Sequence, residues 1–120
     1  MSTDNTSVCP SWGFGYNPLH AAGVMTPVNG AAPTTVNAFG LTFARTGEGI
    51  WTATLKEIPK GGFTAIVQGV FASGGREMRM TACVQATGVI TFTNDTNAGG
   101  AADDVTGLTA VMVLVYGVRG

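Results

Sequence analysis

The residues able to do chemistry are few, and their spacing does not assemble them. His20 is the single histidine, and Asp4, Cys9 and Ser11 lie within reach of it in sequence. Such a set could act as nucleophile, base and orienting acid. No Gly-x-Ser-x-Gly elbow presents a serine. Proline and glycine crowd the surrounding stretch, a poor frame for catalytic geometry. His20 therefore reads as an imidazole that hydrogen-bonds at a surface or an interface. A second group is Asp95, Asp103 and Asp104, in Asn-Asp-Thr-Asn-Ala-Gly-Gly-Ala-Ala-Asp-Asp. Calcium takes carboxylate and carbonyl oxygens from flexible loops. The EF-hand order and its terminal glutamate are missing, which leaves a solvated turn. Glu48, Glu57 and Glu77 fall in or beside expected turns with no evident pairing, although carboxylates distant in sequence can meet in space. Gly47-Glu48-Gly49 and Gly61-Gly62 lack the helix that follows a phosphate cradle, and read as hairpin turns. Cys9 and Cys83, with one histidine, are too few for zinc. Two free thiols, with Cys83 turned into a core or interface, are favoured over a disulfide. No catalytic residue, metal ligand or cofactor is assigned, and no enzyme is expected.

Composition narrows the partners. The chain has 120 residues, which suits one domain with a modest core. Charged residues make up 11%, against roughly 25% in ordinary soluble domains. A surface so poor in charge suits coverage by partners. Arg45, Lys56, Lys60, Arg76, Arg79 and Arg119 are scattered, so the basic face that phosphate backbones require is missing. Direct nucleic-acid binding is not expected. The apolar run Leu108–Val118 is shorter than the roughly 20 residues of a membrane-spanning helix, and no membrane partner is expected. The N-terminus shows neither the basic nor the apolar region of a signal peptide. Without one, the sequons Asn5-Thr6-Ser7 and Asn94-Asp95-Thr96 read as chance matches.

The elements follow from punctuation and alternation. Residues 1–33 carry Pro10, Pro18, Pro27 and Pro33 among several glycines, and read as an extended N-terminal arm. Trp12, Phe14 and Tyr16 give it adhesive side chains. They suit anchoring in a neighbour's groove, with packing on their own domain or ligand stacking as alternatives. Residues 34–120 read as a β-domain. Expected strands are Thr35–Arg45, Ile50–Lys56, Phe63–Ala72, Arg76–Ala86, Val89–Thr93 and Leu108–Val118, with a polar loop over Asn94–Thr106. In Ile50–Lys56, Trp51, Ala53 and Leu55 share one face. In Arg76–Ala86, Met78, Met80, Ala82 and Val84 are expected inward, with Arg79, Thr81 and Gln85 outward. Short strands at this spacing point to an all-β sandwich or barrel, and an antiparallel sandwich is the expected fold. The last strand differs from the others because both of its faces are apolar. Leu108, Ala110, Met112, Leu114 and Tyr116 would share one face, and Thr109, Val111, Val113 and Val115 the other. One sandwich layer covers one face, so the second needs the arm or a neighbouring subunit.

The stretch from Phe43 to Tyr116 resembles a small β-sandwich domain found among tailed-bacteriophage virion proteins. The resemblance rests on Phe43-Ala44-Arg45-Thr46-Gly47-Glu48-Gly49-Ile50-Trp51-Thr52-Ala53-Thr54-Leu55. It continues through Phe63-Thr64-Ala65-Ile66-Val67-Gln68 and Ala101-Ala102-Asp103-Asp104, and closes at Val111-Met112-Val113-Leu114-Val115-Tyr116-Gly117. The family's fold is similar to the jelly roll of trimeric complement-C1q and tumour-necrosis-factor-like domains. The resemblance implies a jelly-roll-like sandwich on the virion surface, acting as a capsid decoration (cement) protein. Its partners would be further copies of itself, as a homotrimer, and the major capsid protein or another virion protein. A fibre, neck or receptor- and carbohydrate-binding module is the alternative. The candidate interface residues are Trp12, Phe14, Tyr16, Leu108, Met112, Leu114 and Tyr116.

Overall fold

Period-two burial runs through most of the chain, and strands follow from it. The structure, a computed structural model, describes residues 19–72, 76–96 and 107–118. The strands are β1 (Leu19–Val28), β2 (Ala31–Phe39), β3 (Leu41–Gly47), β4 (Ile50–Leu55), β5 (Phe63–Phe71), β6 (Arg76–Val84), β7 (Val89–Thr96) and β8 (Leu108–Gly117). They form two four-stranded antiparallel sheets, β2-β1-β8-β5 and β3-β4-β7-β6. The fold is an all-β antiparallel sandwich. β8 pairs with β1, joining the first and last of the described strands. The hairpins β3–β4 and β6–β7 stay within the second sheet.

The inner faces supply one core. Ala21, Met25, Phe63, Ala65, Val111, Val113 and Val115 of the first sheet meet Leu41, Trp51, Ala53, Leu55, Ile90 and Phe92 of the second. Phe92 stacks on Trp51 with ring centroids 6.1 Å apart, and meets Phe43 edge-on at 6.5 Å. Rings in these arrangements add to the area they bury. The β4 pattern matches the expectation: Trp51, Ala53 and Leu55 are buried and the residues between them are not.

Four expectations change. Residues 19–33 are not part of an arm, because β1 and the start of β2 occupy them. The inward positions of β1 are Ala21, Gly23, Met25 and Pro27, a buried row that hides its own alternation behind small and ring-closed residues. The expected strand Thr35–Arg45 is two strands in different sheets, parted at Gly40. That residue holds φ +75°, and a Cβ there would lie 3.0 Å from the Ala21 Cβ, so a side chain fits neither the backbone nor the space. In β6 a register shift between Met80 and Ala82 turns the later residues over. Met78 and Cys83 pack on the core, while Met80 and Val84 are exposed. Finally, Gly61-Gly62 lies in the crossover from β4 to β5, not in a hairpin. Gly61 N–H donates to the Val118 carbonyl at 2.8 Å, and Val118 N–H donates to Gly62 at 2.9 Å.

Candidate functional site on the outer face of the first sheet

β8 lies between β1 and β5, at the centre of the first sheet. Val111, Val113 and Val115 are wholly buried against the second sheet. Ala110, Met112, Leu114 and Tyr116 alternate with them and take the opposite, outer face. Leu108 does not join that face. The register slips between Val70 and Phe71, pairing Val70 with Ala110 and Phe71 with Leu108, and Leu108 enters the core. Its expected place in an interface is thereby corrected.

Strand register extends the outer face across the sheet. Phe39, Ala22, Leu114 and Ile66 are successive Cα partners on β2, β1, β8 and β5, and form an unbroken apolar row. The next row is Asn37, Val24, Met112 and Gln68. Phe39, Ile66 and Val70 are each more than half exposed, and Met112 is 38% exposed. A groove of about 140 Å³ opens here, lined by Ala22, Val24, Phe39, Met112 and Leu114 among others. None of the four strands contains Asp, Glu, Lys or Arg. The second sheet is different. Its outward rows are Thr42, Thr54, Val89 and Val84, then Ala44, Thr52, Thr91 and Ala82, then Ile50, Thr93 and Arg79. Thr93 is buried, but the hydroxyls of Thr42, Thr52, Thr54 and Thr91 suit that face to water, as one-sided antiparallel sheets require. The first sheet keeps polar side chains at Asn37, Thr64 and Gln68 on its outer face, but its row through Phe39, Ala22, Leu114 and Ile66 has none.

The residues considered for chemistry are placed elsewhere. His20 Nε2 donates to the Glu57 carbonyl oxygen at 2.6 Å, tying the start of β1 to the crossover. Asp95 is not in a solvated loop. It belongs to β7 and is 3% exposed. Arg79 Nε donates to its Oδ2 at 2.6 Å. Register sets Glu77 opposite Asp95, an adjacency that sequence spacing does not reveal. Arg79 occupies the Asp95 oxygen, so the arrangement balances charge instead of freeing a carboxylate for proton transfer. Glu48 and Glu57 are exposed. Among the described residues no three His, Cys, Asp or Glu side chains are placed to hold a metal, and no helix is long and apolar enough to cross a membrane. Cys83 is a free thiol, and burial pushes its pKa up. Asp4, Cys9, Ser11, Trp12, Phe14, Tyr16, Asp103 and Asp104 lie outside the described residues.

Gln85 has a role that the sequence did not suggest. Its Oε1 accepts from Phe63 N–H at 3.0 Å, and its Nε2 donates to Phe63 C=O at 2.8 Å. The side chain so imitates a neighbouring strand at the start of edge strand β5. The signal that could have located the outer face is the lack of charge in β1, β2, β5 and β8 taken together, which is visible only once those strands are known to share a sheet.

Comparison with known proteins returns no matching family model, no matching curated protein and no matching solved structure.

Proposed function

We propose that the chain is a structural virion protein, a capsid-decorating subunit that works as a homotrimer and binds the major capsid protein. The observation carrying the assembly part is the uncharged outer face of the first sheet, with its row Phe39, Ala22, Leu114 and Ile66. Contiguous exposed apolar surface of this kind belongs to interaction sites. Phe39, Leu114 and Ile66 each gain up to about 1.5–3 kcal/mol when covered, less where already half-buried, and Ala22 well under that. The virion assignment rests on the resemblance carried by Phe43–Leu55 and by Val111–Gly117. The acidic and imidazole groups support a structural role, since His20 and Asp95 serve contacts within the fold.

Sizing of the purified chain by light scattering, followed by addition to capsids stripped of their decoration, tests the proposal. A stable trimer that rebinds is the expected result. A monomer with no affinity for capsids would overturn it.

A further inference from the structure

We infer that the groove on the outer face of the first sheet is filled by the Trp12–Tyr16 segment of a second copy of this chain. The inference rests on the self-assembly reading above and names the segment that makes the contact. Three observations lead to it.

The first is spacing. Trp12, Phe14 and Tyr16 recur every second residue, as do Met112, Leu114 and Tyr116 on the outer face of β8. Both series span four residue steps, about 13 Å in extended chain. Three rings on one side of an extended segment therefore meet three rows of the sheet without a change of step. The groove of about 140 Å³ lies beside Leu114, the middle residue. A cavity of roughly 150 Å³ lined by apolar side chains takes one benzene ring, so the groove suits the Phe14 ring.

The second is chemistry and area. Residues 8–19 contain no charged side chain, and neither do the four strands of the first sheet. Neither surface would strand a charge on contact. Four strands by six residues give a footprint of roughly 400 Å², about half of the 800 Å² per partner in a stable complex. In a head-to-tail ring each chain gives that footprint to one neighbour and three aromatic side chains, at about 150–250 Å² each, to the other, so both contacts add to what one chain buries.

The third is direction. Leu19 is already in β1, paired with Tyr116, so Asn17 and Pro18 alone separate it from Tyr16. A two-residue reversal needs turn conformations at both positions. The residue before a proline is disfavoured in the helical region, and Asn17 precedes Pro18. A tight return onto its own sheet through Asn17 and Pro18 is thereby disfavoured, which favours the sheet of another copy. Repeated head to tail, that contact is heterologous, and it closes as a ring if the rotation permits.

The test uses full-length chains carrying Cys9→Ser and Cys83→Ala. One population also carries Phe14→Cys and the other Leu114→Cys, and the two are mixed, oxidised and run on a non-reducing gel. A crosslink between the two populations is expected, and none when Leu114→Cys is replaced by Thr52→Cys on the second sheet. Phe14→Ala in the natural chain should weaken assembly on the order of tenfold or more. A crosslink formed only when both cysteines share one chain would overturn the inference in favour of self-coverage. An assembled chain with no crosslink and no effect of Phe14→Ala would overturn it while leaving self-assembly intact. A monomeric natural chain would overturn both.

Discussion

Asp95 sits where three charges from two strands meet. Glu77 faces it across the β6–β7 pairing, and Arg79 reaches its buried carboxylate from two positions along β6. The guanidinium satisfies an acceptor that would otherwise be held out of water, and it offsets the like-charged neighbour. Arg79 is itself half exposed, so solvent weakens the pair below that of a wholly buried bridge. Arg79→Ala is expected to lower unfolding free energy by about 1–3 kcal/mol, read from urea denaturation. Adding Asp95→Asn should recover part of the loss, because the buried charge is then gone. Full additivity of the two substitutions would show that the pair is not coupled.

At the scale of elements, the close passage of β1 over β3 is the most demanding contact. Gly23 faces inward, and a Cβ there would lie 2.7 Å from Phe43 Cε2 and 2.9 Å from Leu41 Cδ1. Gly23→Ala is therefore expected to cost about 1–3 kcal/mol through overpacking, seen as a lowered melting midpoint, and Phe43→Leu in the same chain should recover some of it. This contact also explains which elements were legible. β4 and β5 were readable because alternation was written in large side chains, Trp51 and Leu55 in one and Phe63 and Phe71 in the other. β1 was not, because the sandwich asks for thin residues such as Ala21 and Gly23 where Phe43 and Leu41 fill the space. The pair Asn29-Gly30, a strong hairpin signal, lay inside the stretch read as an arm and joins β1 to β2. The outer face was half legible. Met112, Leu114 and Tyr116 were found from β8 alone, whereas Phe39 and Ile66 come to it by register from strands distant in sequence.

At the scale of the whole molecule, the two outer faces are chemically unlike, one uncharged and crossed by an unbroken apolar row, the other lined with threonine. Any surface that meets the first sheet presents hydroxyls outward from the second. The pairing of β1 with β8 sets a further property. Leu19 is the Cα partner of Tyr116, so the first and last described strands of the sequence are paired neighbours. The Asn29–Gly30 tip is exposed, and a Cβ on Gly30 would meet nothing within 4 Å. A circular permutant joining Val118 to Leu19 through a short glycine-serine linker and opening at Gly30 should keep its β-rich circular dichroism and a cooperative melt. Loss of cooperativity would mean that the β1–β2 connection is needed to define the fold. The order in which the strands are synthesised would then be separable from the order in which they pack, and the point where the chain is opened becomes a matter of choice.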